Sequence, residues 1–260
     1  MPVSLHAQIL GDGPPLVVLH GLFGSGTNWR SFARSLSDRW QIHLVDLRNH
    51  GQSAHADRMT YPEMAADLAA YLDGQDIQSA TLLGHSMGGK VAMRLTLESP
   101  ARVKRLVVVD IAPLRSDHDH LPVLNAMQAL DPGTIERRDQ AAEALEKGIP
   151  DPGLRQFLLQ NLVAADGGYR WRINLDAIRR NLDALQDFPL DDLGGDYQGP
   201  ALFVRGQLSD YVPDSALTRV RELFPGTDIV TIENAGHWVH AERPAAFLEA
   251  VEPFLSADPA

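Results

Sequence analysis

Apolar residues recur along this chain in two alternating patterns. Short unbroken runs at Leu16-Val17-Val18-Leu19, Ile42 to Val45, Thr81-Leu82-Leu83, Leu106-Val107-Val108-Val109, Ala201-Leu202-Phe203-Val204 and Ile229-Val230-Thr231-Ile232 read as strands, and continuous runs of this kind are covered on both faces. Leu5 to Leu10 reads as an edge strand, separated from the first run by the turn Gly11-Asp12-Gly13-Pro14. Between the strands the spacing becomes helical, over Trp29 to Leu36, over Pro62 to Leu72 with Met64, Leu68 and Leu72 on one stripe, and after Ser86 with Val91, Ala92 and Leu95. A last amphipathic helix carries Phe247, Val251 and Phe254. Alternation of this kind predicts an α/β fold with a mostly parallel sheet and helices on both faces, and ligands in such sheets bind beyond the carboxyl ends of the strands. His20, Asp46, Gly84 and Asp110 all fall at such ends.

From Leu114 to Leu193 the strand pattern stops. Helix-period positions run over Leu121 to Leu130, Gln140 to Leu145, Leu154 to Val163 and Leu175 to Leu185, with turns at Asp131-Pro132-Gly133, Pro150-Asp151-Pro152-Gly153 and Asp166-Gly167-Gly168. About 80 residues is far more than a crossover between neighbouring strands requires. The expected organisation is therefore a core of residues 1–113 and 194–260 with a helical lid, 114–193, inserted in it. Tyr169, Trp171 and Met127 are candidates to line an acyl pocket beneath that lid, with Phe23 and Trp238 expected to contact substrate from the core side.

Composition narrows the chemistry. The 260 residues contain no cysteine, which excludes a thiol nucleophile and thiolate metal sites, and a net charge of −11 opposes binding to nucleic acid or anionic membranes. No stretch approaches the ~18 uninterrupted apolar residues of a membrane span, and Met1-Pro2-Val3-Ser4 lacks the basic-then-apolar layout of a signal peptide, so the expected compartment is the cytoplasm.

The organising stretch is Gly84-His85-Ser86-Met87-Gly88, at the end of one strand and the start of a helix. In this context a G-x-S-x-G pattern is a nucleophile elbow, holding its serine in a strained turn where the peptide N–H groups and dipole of the following helix favour negative charge. Gly84, Gly89 and Lys90 also satisfy part of a phosphate-binding loop, but Val91 stands where that motif needs a hydroxyl. His20-Gly21-Leu22-Phe23-Gly24 follows the first central strand, where a second oxyanion donor is expected; Leu22 N–H, with Phe23 as the neighbouring option, is predicted to pair with Met87 N–H. A serine hydroxyl needs a base, and His237, after a strand end and a glycine and far C-terminal to Ser86, is preferred over His240. His237 and His240 lack the spacing and third ligand of a metal site, so no metal is expected. The polar run Asp46 to Ser53 could brace the loops near the site, but it reads as structural, a turn that satisfies exposed backbone.

Taken together, H-G-L-F-G-S, R-N-H-G-x-S, G-H-S-M-G-G-K, V-D-I-A-P and A-G-H-W-V-H-A-E resemble the α/β-hydrolase superfamily over nearly the whole chain, and within it the YbfF-type bacterial carboxylesterases. The resemblance implies an eight-stranded sheet, a helical lid after the sixth strand and cofactor-free hydrolysis of carboxylic ester or thioester substrates. The chain departs from the superfamily's G-x-x-D-x-x-V-P pattern, because Gly206-Gln207-Leu208-Ser209-Asp210-Tyr211-Val212-Pro213 puts Ser209 in the acid slot and Asp210 one residue late. Asp110 is the position the superfamily sometimes uses instead. Asp110 is taken to orient His237 with Ser209 in support, and Asp210 stands as the alternative acid. Carbon-carbon bond hydrolases and cofactor-free perhydrolases share such a triad, and a small-molecule-binding module with vestigial hydrolysis is the rival outside enzymes. The expected partner is a small ester or thioester, on a monomer or homodimer.

Overall fold

In the computed structural model residues 1–190 and 193–257 are described; Asp191 and Asp192 of the predicted lid and residues 258–260 of the predicted core lie outside them. In chain order the first half comprises β1 (Ala7–Leu10), β2 (Pro15–Leu19), α1 (Arg30–Leu36), β3 (Gln41–Val45), α2 (Tyr61–Gly74), β4 (Ala80–His85), α3 (Met87–Glu98) and β5 (Val103–Val109). An insertion follows, made of α4 (Leu121–Ala129), α5 (Arg138–Glu146), α6 (Pro152–Leu159), β6 (Leu162–Ala165), β7 (Gly168–Trp171), α7 (Leu175–Arg180) and α8 (Leu182–Gln186). The sheet then resumes with β8 (Ala201–Gly206), α9 (Leu217–Leu223), β9 (Thr227–Ile232), α10 (Val239–Glu242) and α11 (Pro244–Ser256).

The main sheet runs β1-β3-β2-β4-β5-β8-β9, parallel throughout except for the antiparallel β1–β3 edge. It has seven strands among the described residues rather than the eight implied by the family resemblance, and the insertion follows the fifth rather than the sixth. The six residues ahead of β1 carry no ladder, so the edge is a single antiparallel strand.

Successive side chains of a strand point to opposite faces, which splits the apolar runs between two cores. Val17 and Leu19 of β2 pack with Met64, Leu68 and Leu72 of α2 and with Val91 of α3. Leu16 and Val18 pack on the other face with Ala33 and Leu36 of α1 and with Phe247, Val251 and Leu255 of α11. The α2 stripe was legible because the helix starts cleanly: Thr60 and Glu63 form a capping box, and Pro62 occupies the first turn, where its missing N–H costs nothing.

The insertion is not wholly helical. Residues 162–165 and 168–171 form an antiparallel hairpin around Asp166-Gly167, so the helix predicted over Leu154 to Val163 stops at Leu159. Four-residue strands are too short to show alternation, but Asp-Gly flanked by β-branched and aromatic residues is a hairpin signal and marks this one. Buried side chains of α3 and α2 help tie the insertion to the core. Lys90, 1% exposed, donates from Nζ to Gln186 O (2.8 Å) and Asp187 O (3.0 Å), Arg94 donates to Pro189 O (2.9 Å), and Tyr61 Oη–H donates to Leu185 O (2.6 Å). No helix among the described residues is long and apolar enough to cross a membrane.

Candidate active site

Ser86 lies between β4 and α3 with φ 52° and ψ −121°, a conformation that costs a non-glycine residue about 1–3 kcal/mol and holds the hydroxyl above the end of the sheet. Gly84 makes the turn feasible, since a Cβ there would come within 2.3 Å of Gly88 O. Gly21 brings the preceding loop against the elbow: a Cβ on it would meet His85 Nδ1 at 2.9 Å and Ser86 Cβ at 3.3 Å. Leu22, Ser86 and Met87 consequently share one small recess. Met87 N–H is the first in α3 and has no intrahelical acceptor, and Leu22 N–H makes no hydrogen bond among the described residues. Phe23 N–H donates to His50 Nε2 (3.2 Å), so the alternative oxyanion donor considered for this loop is already engaged.

Two buried histidines brace that loop in one tautomer each. His20 donates from Nδ1 to Gly21 O (2.8 Å) and accepts from Leu47 N–H at Nε2 (3.0 Å); His50 donates from Nδ1 to Arg48 O (3.0 Å) while accepting from Phe23. Desolvation by burial lowers both pKa values, His50 to about 3, so both rings stay neutral and keep these roles. Asp46 accepts from Gly26 N–H and Gln52 N–H, each at 2.8 Å, and the Asp46 to Ser53 run is largely buried, so it ties the loops together rather than satisfying exposed backbone.

Opposite the elbow, His237 donates from Nδ1 to Asp110 Oδ2 (2.8 Å). Asp110 is fully buried at the end of β5, and it also accepts from Gly206 N–H (2.9 Å) and from the Ser209 hydroxyl. Its own φ of 52° turns the carboxylate back toward His237. The loop after β8 alternates its side chains: Ser209 and Tyr211 face the site, whereas Asp210 points outward, 86% exposed, onto His118 Nε2 (2.7 Å). Asp210 therefore does not reach His237, because residue 210 leaves the loop on the wrong side. Burial lowers the His237 pKa and raises that of Asp110, each toward its neutral form. His237 is thus neutral at pH 7 with the proton on Nδ1, and its Nε2 has no partner among the described residues. The carbonyl of His237 accepts from His85 Nε2 (2.9 Å), and Glu242 caps the same loop by accepting from Gly236 N–H (2.7 Å) and Trp238 N–H (3.1 Å). His240 is instead stacked on Trp29, with ring centroids 3.9 Å apart, and its Nδ1 is unpartnered among the described residues.

Ser86 and His237 line one cavity of about 290 Å³. Its wall is mainly apolar, with Phe23 and Trp238 from the core and Val123, Leu154 and Phe157 from the insertion. Trp171 does not line it. As part of β7 it donates from Nε1 to Met127 O (3.1 Å) and packs against the insertion's core, where Met127 is fully buried and Tyr169 is half-buried. The hairpin turns Tyr169 and Trp171 toward the insertion's core, and Met127 is buried there from α4. Contacts that local pattern does not reveal include Phe157, His120, Tyr211 and Asn161, whose Nδ2 donates to Phe23 O (2.7 Å) and ties the insertion to the oxyanion loop. Ser86 Oγ makes no hydrogen bond among the described residues, and catalytic hydrogen bonds that are loose without substrate tighten once it binds.

Residues 14–244 match the family model described as alpha/beta hydrolase fold. The chain belongs to the α/β-hydrolase family. It is 38% identical to the Escherichia coli (strain K12) esterase YbfF over 96% of each chain. It is also 41% identical to the Mus musculus sn-1-specific diacylglycerol lipase ABHD11, over 98% of this chain and 86% of that one. Among solved structures, a marine microorganism esterase superposes with a TM-score of 0.94 at 40% identity, covering 97% of this chain and 99% of its own.

Proposed function

We propose that this chain is an ester-cleaving serine hydrolase working through an acyl-enzyme on Ser86. The observation that carries the reading is the Asp110–His237 pair beside a strained serine, with both Ser86 and His237 opening into the same apolar cavity. Relatives named esterase or lipase along nearly the full chain support it.

Neutral His237 takes the Ser86 proton at Nε2 as Oγ attacks the ester carbonyl. The positive charge that develops on the imidazole is offset by Asp110, which keeps the proton on Nδ1 and is itself held by Gly206 and Ser209. The tetrahedral oxyanion binds Leu22 and Met87 N–H, each contributing on the order of 3 kcal/mol to the transition state. His237 returns the proton to the departing alcohol. It then activates water for attack on the acyl-enzyme, and collapse of the second tetrahedral species releases the acid. Residues 114–193 act as the lid, covering the acyl side of the cavity with Val123, Leu154 and Phe157.

A fluorophosphonate probe followed by peptide mapping tests the nucleophile, and a graded panel of nitrophenyl esters, acylglycerols and acyl thioesters tests the substrate class. The expected result is a single adduct on Ser86 with ester turnover. Intact protein with no adduct and no turnover overturns the reading.

A further inference from the structure

His237 is held at its edge by the acid of the triad and elsewhere by rings, with His85 at 4.7 Å and tilted by 42°, and, among the described residues, only Tyr211 close to parallel. Its edge meets Asp110, while one face lies against Tyr211 with ring centroids 3.6 Å apart and planes 17° from parallel. The other face of Tyr211 carries His118, at 3.5 Å and 9°. Three rings therefore form one column, His237–Tyr211–His118, running from the core into the insertion. The outer ring has its own supports: His118 Nε2 meets Asp210 Oδ1 at 2.7 Å, and Nδ1 meets Ser116 Oγ at 2.8 Å. Tyr211 is fixed from its backbone as well, where its N–H donates to Ser209 Oγ (3.3 Å), the hydroxyl that serves Asp110.

We propose that Tyr211 is a positioning residue for His237, clamped in place by His118 from the insertion, with Asp210 setting the orientation of His118 rather than that of the base. An imidazole held by one hydrogen bond at Nδ1 is free to rock about that bond, which swings Nε2 toward or away from Ser86. A ring pressed against its face removes that freedom, and a further ring behind removes the freedom of the first. Centroids this close, with planes within 17° of parallel, put the rings almost face to face, so each ring blocks the tilting of its neighbour by contact rather than through the offset geometry that free aromatic pairs prefer. The arrangement gives the displaced carboxylate at 210 a function and makes the geometry of the base depend on the insertion being seated. The proposal rests on the reading of His237 as the base, and the test keeps the two apart.

The experiment measures kcat and KM separately on a nitrophenyl ester for Tyr211→Ala, Tyr211→Phe, His118→Ala and the double variant Tyr211→Ala/His118→Ala, with His237→Ala alongside. Misplacing a catalytic group by about 1 Å costs up to ~100-fold. Tyr211→Ala is expected to lower kcat by roughly 10- to 100-fold with KM within about threefold, and Tyr211→Phe, which keeps the ring, to recover most of the loss. His118→Ala is expected to cost a smaller factor, about three- to tenfold, and to add almost nothing on top of Tyr211→Ala, because both act through one column. Equal losses in Tyr211→Phe and Tyr211→Ala, a change confined to KM, or fully multiplying effects of the two alanines would each overturn the proposal. If Tyr211→Ala fails to fold, His118→Ala at a partly exposed position carries the test, and wild-type kcat there counts against the column. Full turnover in His237→Ala sinks the base assignment itself. An inactive His237→Ala beside an unaffected Tyr211→Ala sinks only the column.

Discussion

Replacing Asp110 with asparagine is the sharpest test of the site, because it changes one atom of a group whose three partners are all known. The carboxylate accepts from His237 Nδ1, from Gly206 N–H and from the Ser209 hydroxyl. Asparagine keeps a carbonyl oxygen for Gly206 at the Oδ1 position and places an NH₂ at the position of Oδ2. That NH₂ is a donor facing two donors, so His237 is driven to accept at Nδ1 and to carry its proton on Nε2. In the proposed mechanism Nε2 can then no longer take the Ser86 proton. Enforcing the wrong tautomer in a triad costs on the order of 10⁴ in kcat, or about 5 kcal/mol of transition-state stabilisation at 1.36 kcal/mol per decade. KM is expected to change little, since Asp110 is fully buried and does not line the cavity. Asp210→Asn serves as the matched control: its side chain is exposed and keeps an acceptor for His118, so the expected loss is no more than about threefold, the scale of other exposed substitutions. The assay is steady-state hydrolysis of a short nitrophenyl ester by both variants, with far-ultraviolet circular dichroism to establish that each is folded. Near-full turnover in Asp110→Asn together with an inactive Asp210→Asn would refute the argument.

Three further outcomes follow from the same geometry. Ser86→Gly should abolish probe labelling yet raise stability by about 1 kcal/mol, because glycine adopts φ 52° without the strain paid by serine; a lower melting temperature would contradict this. The Asp110–His237 pair takes up its first proton as a unit and loses the base on doing so. With burial lowering the His237 pKa, the acid limb of kcat/KM should lie below pH 6.5, and a limb at or above pH 7 would show that the ring is not desolvated. Lys90 is pushed down to about 7 by burial, against about 10.4 in an unfolded chain. The folded state therefore binds fewer protons than the unfolded one between these values, and the Lys90 contribution to stability increases as pH rises from 7 toward 10. Lys90→Met should flatten that rise in denaturant titrations run across the range, and an unchanged slope would show that Lys90 is not desolvated.

Much of this was legible in the linear chain because it is local. Continuous apolar runs mark strands covered on both faces, and the pattern Gly84-His85-Ser86-Met87-Gly88 needs only its own turn and the helix after it to present a hydroxyl. His237 could be ranked above His240 from its place on a loop; in the structure His237 meets Asp110, whereas His240 lies stacked on Trp29. The loop Gly206 to Pro213 showed that the usual acid slot holds a serine, which directed attention to Asp110. Tertiary structure alone decided the remainder. The side to which residue 210 points depends on the path of the loop after β8, and a shift of one residue reverses it, so which of Asp110, preferred in the sequence, and Asp210 meets His237 is set only in three dimensions. Trp171 was misplaced for a related reason: a four-residue strand has no measurable period, and its hairpin partner rather than its own sequence turns the indole inward. The Tyr211 column and the Asn161 bond join residues about 90 and 140 positions apart. Such contacts form because packed layers bring distant surfaces together, and no pattern within either segment encodes the distance between them.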